Sequence, residues 1–112
     1  MSDDTTEMKN LFADIPAELP AELTTVLVEQ DEIRIERIVS RGHAEPQDGW
    51  FEQREHEWVS VLSGSAILEY EGGEQRRMGK GDHVLIPAGT KHRVAWTDPD
   101  QDTLWLAVFW KA

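Results

Sequence analysis

The stretch Gly81-Asp82-His83-Val84-Leu85-Ile86-Pro87-Ala88-Gly89-Thr90-Lys91-His92 decides the fold. Alternate side chains of a strand share a face, so Val84 and Ile86 point one way and His83 and Leu85 the other. Pro87 ends that strand, and Gly81 and Gly89 permit tight turns on either side. His92 then opens the next strand, pointing inward. A four-residue strand bracketed by Gly and Pro turns belongs to a fold of many short strands.

The same grammar extends in both directions. Short β segments are expected at residues 25–29, 33–40, 50–53, 57–62, 65–71, 75–78, 83–86, 92–96 and 103–110. Gly72-Gly73 reads as the tip of a hairpin. Short strands at regular spacing, separated by turn residues, argue for a sandwich or barrel. No solenoid period and no long amphipathic helix breaks the pattern. Residues 1–10 are polar and acidic and are expected to be disordered. Residues 11–23 carry Pro16 and Pro20 and read as an irregular arm, with one helical turn at most. Leu11, Phe12, Ile15, Leu19 and Leu23 of this arm are expected to pack on the outside of the main body. The expected organisation is an arm over 1–23 and one β domain over 24–112.

Composition narrows the function. The chain has 112 residues, 22 acidic against 11 basic, a formal net charge of −11 and no cysteine. An acidic surface repels phosphate backbones and anionic membranes, so no nucleic-acid or membrane partner is expected. Without cysteine there is no disulfide framework, thiolate metal site or cysteine nucleophile. The N-terminus has neither a basic nor an apolar leader segment, and a cytoplasmic location is the expectation. No apolar run approaches the ~20 residues that span a bilayer.

Alternation then picks out the candidate site. Glu57 shares its face with Val59 and Val61, and His92 shares its face with Val94 and Trp96. Each of two apolar-faced strands thus carries one titratable residue on the apolar side. A buried carboxylate or imidazole needs a partner, which can be the other member of the pair, a metal, a water or a ligand.

Two segments resemble the paired motifs of the cupin superfamily. The second motif is the stretch quoted above, with Gly, Pro, Gly and His at the family's spacing. The first is Glu57-Trp58-Val59-Ser60-Val61-Leu62-Ser63-Gly64, with the family's Glu and Gly at the family's separation. From about Ile33 to the C-terminus the chain is similar to small bacterial single-domain cupins. The resemblance implies an all-β, cupin-type jelly-roll barrel and a site of three histidines and one glutamate. In this sequence the first motif's two histidine positions fall on Phe51 and Gln53, or on Trp50 and Glu52 in the alternative register. The family's later Asn position is Trp96.

What the resemblance implies for metal is therefore a reduced set: Gln53, Glu57 and His92 around a divalent ion such as Fe, Mn, Ni or Zn, with Glu52 and His56 as lesser candidates. Without a metal, Glu57 and His92 form a structural or catalytic pair. Glu52 and His56 are out of phase with Glu57, so only a bulge or bend turns them inward. His43 and His83 read as surface residues. Arg37 shares a face with Ile33, Ile35 and Val39. Either it points into the barrel to pair with Glu57 or an anionic ligand, or it snorkels to water at the strand end. Tyr70 and Trp96 are candidate aromatic walls of the ligand cavity.

Three functions remain open: a metal-dependent cupin enzyme such as an oxygenase or isomerase on a small polar or carboxylated molecule, a non-catalytic small-molecule-binding or sensing protein, and a metal-free enzyme using Glu57 and His92 as acid and base. A homodimer is expected through outward apolar residues, with Ile67 and Trp58 on that face.

Overall fold

The computed structural model of the protein describes residues 7–112. Eight strands follow in order: β1 Leu23–Gln30, β2 Ile33–Ser40, β3 Glu55–Ser63, β4 Ser65–Tyr70, β5 Gln75–Gly79, β6 His83–Ile86, β7 His92–Thr97 and β8 Thr103–Lys111. No helix occurs among the described residues. The strands form two antiparallel sheets, one ordered β1-β2-β8-β3-β6 and the other β5-β4-β7. The expected all-β jelly-roll architecture is present.

The two sheets close on an apolar core. Val59 and Val61 of β3, Ala66 and Leu68 of β4, Ile86 of β6, and Trp105, Ala107 and Phe109 of β8 are buried together. Register explains why these residues meet. Glu57, Val59 and Val61 lie opposite Phe109, Ala107 and Trp105, so one alternate set from each strand faces inward. Val84 packs against this core, while His83 and Leu85 are exposed on the other side, as alternation requires.

Gly64 makes the β3–β4 corner possible. Its φ is +94°, and a Cβ there would stand 2.5 Å from Thr103 Cα and 2.6 Å from the Asp102 carbonyl oxygen. Only glycine fits both the backbone angle and that close approach.

Differences from the sequence reading are local. Residues 50–53 do not form a strand; Phe51 makes an isolated bridge to His92. The segment runs past the start of β7 only long enough to exchange two backbone hydrogen bonds. Residues 1–6, most of the stretch expected to be disordered, lie outside the described residues. The arm makes a turn at Asn10–Ala13 rather than a helix. Its Leu11, Ile15, Leu19 and Leu23 are half-buried, while Phe12 remains 56% exposed.

Candidate functional site

The inner faces of the strands enclose a cavity of about 270 Å³. Glu57 from β3 and His92 from β7 both line it, and both are buried. His92 Nε2 lies 3.4 Å from Glu57 Oε1. His92 Nδ1 lies 2.8 Å from the Thr90 carbonyl oxygen. A carbonyl only accepts, so Nδ1 carries a proton and Nε2 is the nitrogen that titrates against Glu57. Burial pulls the imidazole pKa down. The hydrogen bond to Glu57, the bond to Thr90 and the Glu57 charge together outweigh it and hold His92 above its ordinary 6.5.

Gln53 completes this corner. Its Nε2 donates to Glu57 Oε1 over 3.1 Å. The backbone around it is pinned. Phe51 N donates to His92 O (2.8 Å), His92 N donates to Phe51 O (3.1 Å), and Gly89 N donates to Gln53 O (2.8 Å). The loop that fills the place of the first motif's missing histidines is thereby fastened to the second motif. The Phe51 ring tilts against His92 with centroids 5.7 Å apart.

Among the described residues, no group of three His, Asp or Glu side chains stands close enough to hold a metal ion. At Glu57 and His92 the third neighbour is an amide, and it presents its nitrogen to Glu57 rather than its oxygen to an ion. Glu52 is exposed and lies outside the cavity lining. His56 points away from the cavity: its Nδ1 accepts from Ala88 N over 3.0 Å, and its ring packs on Trp110. One imidazole and one carboxylate do not make the three- or four-donor set of a resident transition metal. The geometry therefore fits a close imidazole–carboxylate pair better than a resident metal centre.

Arg37 does not line the cavity. The structure turns the other face of β2 inward: Arg34, Glu36 and Ile38 line the cavity, with Ser40 beyond them. Arg37, Ile35 and Val39 share the opposite face, where Arg37 meets the N-terminal arm. There the Arg37 guanidinium is buried and donates through one nitrogen to the carbonyls of Leu11 (3.1 Å) and Ala13 (2.6 Å). Both faces of β2 are covered, so an apolar set on one face did not identify the barrel interior.

Trp96 is also displaced from its expected position. β4 and β7 pair Leu68 with Val94 but Ile67 with Trp96, so Ala95 is an extra residue in the ladder. That bulge flips the parity after Val94 and sends Trp96 to the outer face, where Arg77 sits 5.3 Å over its ring. Tyr70 stands opposite His92 in register and packs on the core, but it does not line the cavity; Arg76 lies over its ring. His43 and His83 face away from the cavity, as expected. His83 Nδ1 accepts from Trp58 Nε1, and His43 Nδ1 accepts from Arg41 N.

The aromatic walls are instead Phe51, Trp105 and Phe109. Four further polar residues escaped the sequence reading: Glu22, Arg34, Glu36 and Glu45. Arg34 and Glu36 carried a signal, since they alternate with Ile38 and Ser40 in β2. Glu22 and Glu45 lie just outside the core strand repeats and carried none. Arg34 donates to Glu36 (2.7 Å) and forks onto Glu55 (3.0 and 3.1 Å), while its guanidinium lies over Phe109. Trp105 Nε1 donates to Ser40 Oγ, and Ser40 Oγ donates to Glu22 Oε2 over 2.8 Å.

Comparison with known proteins places this geometry in a family. The cupin domain model matches residues 39–109. The chain belongs to the cupin superfamily. A proposed mannose-6-phosphate isomerase from Ralstonia eutropha JMP134 is similar at 46% identity, covering 95% of this chain and 99% of that one, with a TM-score of 0.89. An RmlC-like cupin from Desulfovibrio desulfuricans shares the fold at 16% identity and a TM-score of 0.75, over 93% of this chain and 95% of its own. So does an RmlC-like cupin from Methanocaldococcus jannaschii with a double-stranded β-helix fold, at 18% identity and a TM-score of 0.69, over 88% and 87%. Among curated proteins none matches. No helix of the described residues is long and apolar enough to cross a membrane.

Proposed function

We propose that this cupin binds a small polar molecule inside its barrel and moves a proton on it with the Glu57–His92 pair, in the manner of an isomerase. The observation that carries this reading is the pair itself. Two buried titratable groups face one cavity, 3.4 Å apart, with one ring nitrogen committed to the Thr90 carbonyl. In a hydroxy-carbonyl substrate, Glu57 would take a proton from the carbon next to the carbonyl. His92, whose pKa Glu57 and the Thr90 carbonyl hold above its ordinary value, would give one to the carbonyl oxygen. The reverse transfers at the adjacent carbon complete an aldose–ketose exchange. The amide of Gln53 holds the Glu57 carboxylate in place throughout. The name of the Ralstonia relative supports a sugar-like substrate pair.

The test is deuterium wash-in at the carbon next to the carbonyl of mannose and fructose, followed by NMR in D2O. Exchange is expected with the wild type and lost in Glu57→Gln and in His92→Gln. Exchange undiminished in both variants would remove the proposal. Parallel elemental analysis and a chelator arm address the metal-dependent alternative, in which exchange follows metal content. Saturable binding without exchange favours a sensing role.

A further inference from the structure

Resting on the reading of the barrel cavity as the ligand site, the charge balance of its wall names the ligand class. Four carboxylates line the cavity: Glu22, Glu36, Glu45 and Glu57. Two basic side chains accompany them, Arg34 and His92. Arg34 already has its charge balanced, because three of its five N–H donors go to Glu36 and the Glu55 fork and Phe109 covers its face. His92 is engaged by Glu57. Among the described residues, no Lys or Arg forms an ion pair with Glu22 or Glu45.

Glu22 is also fixed in place. Trp105 orients Ser40, and Ser40 bonds the Glu22 carboxylate, so its side chain is held at the cavity wall. Burial, and then the nearby Glu45 and Glu36 charges, push its pKa up despite the Ser40 bond. A carboxylate held close to its neighbours at such a cost favours a cation that enters from outside. The cation is not a bare metal ion, because no three of these carboxylates come close enough to hold one. An organic ammonium needs no closed shell of donors, and the walls of Phe51, Trp105 and Phe109 suit its carbon skeleton.

We propose that the cavity takes a small molecule bearing a protonated amine, recognised by Glu22 and Glu45, and that it disfavours phosphate- and carboxylate-bearing ligands. The molecule's polar carbon end would then face Glu57 and His92. A phosphate would meet the same carboxylates with the wrong sign, and the one guanidinium in the wall already faces two carboxylates.

The test uses three probes on one skeleton: mannosamine, mannose and mannose 6-phosphate, with binding measured by calorimetry at low salt. Mannosamine is expected to bind the wild type about five- to tenfold more tightly than mannose, and mannose 6-phosphate more weakly than mannose. The amine preference should shrink to about twofold or less in Glu22→Gln/Glu45→Gln. It should persist in Glu71→Gln/Glu74→Gln, which removes the same charge from the outer surface and so controls for the chain's overall acidity. Three results overturn the proposal: mannose 6-phosphate binding as tightly as mannose, mannosamine binding no tighter than mannose (including no binding by either), or an amine preference unchanged in Glu22→Gln/Glu45→Gln. Amine binding without deuterium exchange leaves the ligand class standing and removes the isomerase reading. Exchange on mannose 6-phosphate does the opposite.

Discussion

His92 donates through Nδ1 to the carbonyl of Thr90, two residues earlier, at 2.8 Å. The turn that delivers the histidine to the barrel thus also chooses its tautomer. The nitrogen left for chemistry is the one facing Glu57.

That arrangement sets a pH dependence. His92 has a folded-state pKa above its unfolded 6.5. The stability it contributes is therefore fully present below about pH 6.5 and is lost as pH rises through the raised folded value. Urea midpoints of wild type and His92→Gln, compared from about pH 5.5 to about pH 8.5, should show the wild type losing its relative advantage as pH rises. A difference between the two proteins that stays constant over that range counts against the pair.

Gly64 should tolerate no side chain. Alanine there meets Thr103 Cα and the Asp102 carbonyl, both backbone, at a positive φ. Gly64→Ala is expected to cost about 3 kcal/mol or more, read as a lowered thermal midpoint. Gly72→Ala is the control, since its Cβ would meet nothing within 4 Å, although it shares the strain of a positive φ. Equal losses in the two variants would show that close approach plays no part at Gly64.

Arg37 is expected to hold the arm. Arg37→Met leaves the carbonyls of Leu11 and Ala13 without their buried donor. The expected loss is about 1–3 kcal/mol, with faster proteolysis within residues 11–20 and unchanged ligand affinity. Lost affinity with an intact arm would place Arg37 in ligand recognition after all.

For self-association, a second surface stands beside the expected one. Trp58 is half-buried beside His83, and Ile67 is half-buried with Trp96 and Arg77 as its cross-strand neighbours. Val26, Leu27 and Val28 of β1 are instead 41–48% exposed, on the edge strand of the larger sheet. We propose that the homodimer forms along β1, where an unpaired strand edge and apolar side chains coincide. Light scattering should give a dimer mass for the wild type and a monomer mass for Val28→Lys. A monomeric wild type at micromolar concentration removes the proposal.

Much of this protein was legible from residue order alone. Period-two alternation placed Val59, Val61, Val84 and Ile86 on their inner faces and put Glu57 and His92 among them, because a strand's parity is a local property. Gly81, Pro87 and Gly89 marked the turns for the same reason. Alternation sorts side chains into two sets but does not say which set faces the core. In β2 both sets are covered, one by the barrel and one by the arm, so only packing decided that Arg34 lines the cavity and Arg37 supports the arm. Parity also fails wherever one residue is inserted: the bulge at Ala95 moved Trp96 outside, and nothing local in Val94-Ala95-Trp96 announces it. Glu22 and Glu45, which set the charge of the cavity, lie far apart in sequence from each other and from Glu57. Their meeting is a product of strand order in the sheets, and that order is set by the burial of the whole core rather than by any one segment.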